Sequence, residues 1–149
     1  MSLKRSQSAF LPPFKDTIHL TQILMKTRSD AQKFAYVTIA LLSLISAIGK
    51  TPTTKDLRIA ISLILSTEDL IRNYDFVLQA KNHLESAFQS DYESASEEVY
   101  SMFRTIKLRR DLAALAVDIG FKYLRRAESD SPEKRAVLEH SAQLLKVIL

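Results

Sequence analysis

The sequence predicts an all-α protein: a compact bundle of five or six helices with a central apolar helix and one long two-faced helix. Three observations carry this. Only 2 glycines and 4 prolines occur in 149 residues, so turn signals are sparse and long helices are favoured. Apolar residues recur at the three- and four-residue spacings that place side chains on one face of a helix. Residues able to cap a helix stand before most of these runs.

Residues 1–13 read as a flexible N-terminal arm and residues 14–149 as a single helical domain. Pro12 and Pro13 restrict the backbone and delay the first helix, a short one in DTIHLTQILMKT capped by Asp16 or Thr17. Ser29 or Asp30 caps the next helix, and Gly49 is placed to stop it in a left-handed conformation. Between them, the stretch from Phe34 to Gly49, FAYVTIALLSLISAIG, carries no charge and is apolar all round, as befits a helix with neighbours on several sides. Its 16 residues fall short of the roughly 20 that cross a bilayer core. Lys33 and Lys50 flank it symmetrically, giving no topological bias, and it begins too far from Met1 for a signal peptide. The expectation is therefore a core helix, no membrane association, and a cytoplasmic or other intracellular setting.

Pro52 separates the next element, with Thr53 or Thr54 as its cap and Leu57, Ile61, Ile64 and Leu65 at helical spacing; Arg58 and Ser62 are its more polar positions. STED at 66–69 offers a further capping pattern that separates two helices or kinks one. From Leu70 the periodicity runs through Tyr74, Val77, Leu78, Leu84 and Phe88 to a break near Asp91. The longest periodic segment then extends from Glu93 to about Ala127. At 100° per residue, Val99, Phe103, Ile106, Ala113, Val117, Phe121 and Leu124 share one face, and Leu108, Leu112, Leu115, Ile119 and Tyr123 a second. A charged seam containing Arg104, Lys107, Asp111, Asp118, Lys122 and Arg125 runs between them. Ser131 and Pro132 open a final helix through Val137, Leu138, Leu144, Leu145 and Ile148, with a docked C-terminus.

Candidate chemistry is thin. The absence of cysteine removes disulfides and thiolate chemistry. His19, His83 and His140 fall in separate helices without metal-ligand spacing, and Glu97 and Glu98 are adjacent, so they do not face each other on a helix. Asp111 and Asp118 each have a basic neighbour one turn away, Lys107 and Lys122, which makes them partners in weak salt bridges. GKTPT at 49–53 lacks the glycine-rich loop of a phosphate motif, and abundant serine by itself specifies no nucleophile. No catalytic residue, metal or cofactor is expected.

Two binding readings are left. The first is a non-enzymatic protein-protein interaction or structural domain, acting as an oligomer or complex subunit. A two-faced long helix leaves Val117, Phe121 and Leu124 as an uncovered surface for a protein partner or a second copy, in a homodimer or higher assembly. The alternative draws on the +4 net charge: an accessory nucleic-acid-binding protein that contacts the phosphate backbone through Arg104, Lys107, Lys122 and Arg125, with Tyr100 stacking on a base. Asp111 and Asp118 weaken that field, and a protein partner is the favoured expectation.

Overall fold

The computed structural model describes residues 28–48, 54–126 and 131–149. Among them are seven α-helices and no strand: α1 (Asp30–Ser46), α2 (Thr54–Leu65), α3 (Glu68–Arg72), α4 (Tyr74–Ser90), α5 (Tyr92–Thr105), α6 (Arg110–Arg126) and α7 (Pro132–Leu144). The arm at 1–13, the first short helix and the stop at Gly49 lie outside the described residues.

α1 is the centre of the bundle. It starts where the Ser29 Oγ accepts the Gln32 N–H at 3.2 Å, with Asp30 in the first turn facing the positive end of the helix dipole. Phe34 through Leu42, followed by Leu44 and Ile45, are all buried, so its apolar girth is matched by neighbours all round. α3, α4, α5, α6 and α7 pack against it. Its polar interruption is resolved internally: the buried Thr38 hydroxyl donates to the Phe34 carbonyl at 2.8 Å. Among the described residues no helix is long and apolar enough to cross a membrane.

Other boundaries follow from capping. Asp91 accepts the Ser94 N–H at 3.2 Å to open α5, and Ser131 accepts the Lys134 N–H at 3.2 Å with Pro132 at the first helical position of α7. α7 ends in a Schellman arrangement in which the Lys146 and Val147 N–H groups bond back to Gln143 and Ala142 at 3.0 and 2.9 Å. Lys146 takes the left-handed position, φ 62°. This turn carries the chain away from the helix axis. Val147 packs against the core, but Ile148 and Leu149 are exposed, so docking stops before the last two residues.

The long helix expected over 93–127 is two helices. Ile106 is extended (φ −68°, ψ 135°), and α6 restarts at Arg110. No glycine or proline marks the break. Ile106 and Leu108 are partly buried against the core, and the Lys33 Nζ donates to the Lys107 carbonyl at 3.3 Å, so packing and a tie from α1 hold this segment open. The break also reassigns Asp111, which pairs with Arg109 at 2.6 Å in place of Lys107. A second division falls at Asn73, between α3 and α4. These two breaks raise the helix number above five or six.

α6 crosses α1 closely because Gly120 has no side chain. A Cβ there would stand 2.9 Å from Leu138 Cδ1 and 3.2 Å from Leu41 Cδ2, joining α6, α7 and α1 in one tight meeting. Near the end of α1, Ser46 and the Tyr123 hydroxyl are 3.0 Å apart, giving the buried phenol a partner.

Candidate interaction surface

α2 departs most from the expected burial. Asp56, Leu63 and Ile64 face inward and are buried, and Ile59 and Ala60 are half-buried against the core. α2 packs on α6 and α3 through this side. The apolar residues left over point outward: Leu57, Ile61 and Leu65 are 42%, 46% and 48% exposed. Their four-residue spacing confines them to about 80° of helix circumference, so they form one stripe rather than scattered surface residues. Arg58 and Ser62 border it, and with Ile61, Leu65 and Ser66 they line an open hollow of about 430 Å³.

The stripe ends at a rigid corner. Ser66 and Thr67 both donate their hydroxyls to the Leu63 carbonyl, at 3.1 and 2.8 Å, closing the last turn of α2. The sequence pattern at 66–69 marked this interruption, but Ser66 bonds backward to Leu63, and Thr67 occupies the cap position of α3. Glu68 and Asp69 follow at once, with Glu68 holding Arg72 at 2.7 Å. The exposed charges at the two ends of the stripe differ: Lys55 and Arg58 near the start, where Asp56 is buried, and Glu68 and Asp69 just past the finish, with Arg72 offsetting one of the two carboxylates. Beyond the corner, Ile71, Tyr74 and Leu78 are exposed as well. Ile71 and Tyr74 line a second hollow, of about 390 Å³, with Arg28, whose guanidinium lies 5.2 Å from the centre of the Phe76 ring.

The residues expected to form an interface are placed elsewhere. Val117 and Leu124 are only 2% and 1% exposed, and the half-buried Phe121 packs against the same core. This face of α6 meets its own bundle, so an interface made of Val117, Phe121 and Leu124 is corrected to core. Periodicity identified the apolar face but not what covers it. Helical spacing groups Leu57, Ile61 and Leu65 but does not mark them as surface. The available signal was that the short α2 segment is apolar on two arcs, too many for one side of a two-layer contact.

The cationic set is divided by the break at 106–109. Arg104 sits on α5, Lys107 in the connection, and Lys122 and Arg125 on α6. The helical count that put all four on one face no longer runs through them. Lys122 holds Asp118 at 3.1 Å, as the spacing anticipated. Tyr100 is half-buried, with its ring edge-on to His140 at 4.9 Å between centroids. Burial raises its hydroxyl pKa, with Tyr92 and Glu97 adding to the effect. On the same helix, burial lifts the Glu98 carboxyl to about 7. Among the described residues no three His, Asp or Glu side chains are grouped to hold a metal ion. Among the described residues the buried Nε2 of His83 has no hydrogen-bond partner, and burial lowers the pKa of its imidazole.

No protein-family model matches the chain, and neither the curated proteins nor the solved structures contain a match to it.

Proposed function

We propose that the chain is a non-enzymatic helical interaction or structural domain, working inside the cell as a subunit of an oligomer or complex, with the outer face of α2 as its docking surface. One observation carries the reading: Leu57, Ile61 and Leu65 lie in line and exposed on a helix whose other face is already committed to the core. Covering such a stripe releases water from apolar surface at about 25 cal/mol per Å² before the costs of association. Arg58 and Ser62 at its border give the polar rim that protein interfaces carry.

The test is a photo-cross-linking amino acid at Ser62, beside the stripe, compared with the same group at the exposed Ser90 on α4. Specific protein adducts from position 62 that disappear in Ile61→Asp support the reading. Equal labelling from both positions, unaffected by Ile61→Asp, contradicts it.

Phosphate-backbone binding is the weaker reading. Arg104, Lys107 and Arg125 are exposed, which favours it, but the divided seam and the Lys122–Asp118 pair reduce the field that would gather phosphates. Replacing Arg104 and Lys107 together by alanine would weaken binding to all nucleic acids alike and flatten its salt dependence if that reading held.

A further inference from the structure

The stripe on α2 has a symmetry that selects its occupant. Leu57 and Leu65 lie one turn to either side of Ile61, so reversing the direction of the helix reproduces the same order of side chains. Charge does the opposite: reversal exchanges the basic end, where Lys55 and Arg58 are exposed and Asp56 is buried, with the corner at Glu68 and Asp69, which stays net acidic although Arg72 holds Glu68. A surface that is self-complementary in both shape and charge under a half-turn fits a second copy of itself, as an isologous interface requires. We propose that two copies of this chain pair through α2 in antiparallel fashion, across a two-fold axis at Ile61.

The inference rests on the reading of this face as a docking surface. In the pair, Ile61 meets Ile61, and Leu57 meets Leu65 of the second copy. The i, i+4 ridge of each helix lies in the groove of the other, the commonest packing of globular helices, crossing at about −50°. The basic start of each α2 comes beside the acidic corner of the other. A parallel pair would set like charges together, so charge fixes the direction. Three side chains less than half exposed supply only part of the roughly 800 Å² per partner of a standard interface. The association is accordingly reversible and concentration-dependent.

Because the chain has no cysteine, single introduced cysteines report the geometry without interference. A disulfide requires Cβ atoms about 3.5–4.5 Å apart. Under mild oxidation of the full chain, Ile61→Cys should give a covalent dimer, whereas Ser90→Cys should not. A mixture of Leu57→Cys and Leu65→Cys proteins should yield the mixed dimer above the statistical two-to-one ratio to either homodimer, and adding Ile61→Asp to both should abolish the excess. Unchanged helical circular dichroism of each variant confirms that folding is intact. Homodimers of Leu57→Cys and of Leu65→Cys exceeding the mixed species would overturn the antiparallel pair. So would Ile61→Cys cross-linking no better than Ser90→Cys, with wild-type protein sedimenting as a monomer at every concentration. Photo-cross-linking from Ser62 to a different protein would in that case keep the docking reading and reject only self-pairing, whereas its absence would reject both.

Discussion

Ile61 and Ile64 are the same residue type on the same helix, three positions apart, and the structure assigns them opposite fates. Ile64 is buried under α2, while Ile61 is nearly half exposed. Truncating Ile64 to alanine removes buried methyl and methylene groups and leaves a cavity, which costs about 2–5 kcal/mol. Complete burial of an isoleucine side chain is worth roughly 1.5–3 kcal/mol, and Ile61 has close to half of its surface still in water. Ile61→Ala, which also keeps the Cβ, should therefore cost about 1 kcal/mol at most. Urea unfolding followed by circular dichroism measures both, at protein concentrations low enough to disfavour association, with the slope m checked for constancy. The informative quantity is the difference, about 1–4 kcal/mol, because both variants make the same chemical change. Equal destabilisation by the two variants, or a larger cost at Ile61, would mean that the outer face of α2 is covered within the chain. The docking reading would then be wrong.

Three further variants probe other parts of the structure. Gly120→Val should destabilise by about 1–3 kcal/mol in the same assay, because its side chain enters the space of Leu138 and Leu41; a neutral effect would show that α6 does not approach them so closely. Lys146→Gly should stabilise by about 0.5–1 kcal/mol, since glycine holds the left-handed end of α7 without a Cβ penalty; a loss of stability would contradict that backbone. Burial raises the Glu98 carboxyl to about 7, favouring its neutral form in the folded state, so its stabilising contribution is complete below the unfolded value near 4.5 and is lost as pH climbs through 7. Relative to Glu98→Gln, the wild-type unfolding midpoint should fall between pH 4.5 and 7.5. Parallel pH profiles for the two proteins would refute the raised value. His83 does not confound this comparison, because its depressed imidazole contributes above its unfolded value near 6.5 and loses that contribution on acidification in both proteins alike.

What was legible in the sequence divides along physical lines. Caps are local chemistry, so Ser29 and Ser131–Pro132 mark helix starts that the structure keeps, and the break expected near Asp91 is where the Asp91 side chain caps α5. The Phe34–Ile45 run had no polar side to show water, and only the middle of the bundle suits it. The break at 106–109 was not legible, because Ile-Lys-Leu-Arg contains nothing that ends a helix. A distant lysine, Lys33, and the partial burial of Ile106 and Leu108 hold it extended. Faces were the least legible. Helical periodicity says which residues lie together but not which side a neighbour covers, and the two-arced helices exposed this weakness. On α6 the arc of Val117 and Leu124 is taken by the bundle, whereas on α2 the arc of Leu57, Ile61 and Leu65 is left outside while the carboxylate of Asp56 goes in. The cationic seam failed for a related reason, since its phase was counted through a helix that does not continue.

Amide hydrogen exchange across a range of protein concentrations reads the cover on α2 without any substitution. If α2 is the docking surface and a second copy its occupant, exchange from Leu57 to Leu65 should slow as concentration rises. Exchange on the exposed side of α4 should stay constant, and α1 should remain the most protected segment throughout. Concentration-dependent protection that appears elsewhere while α2 is unchanged would contradict the account.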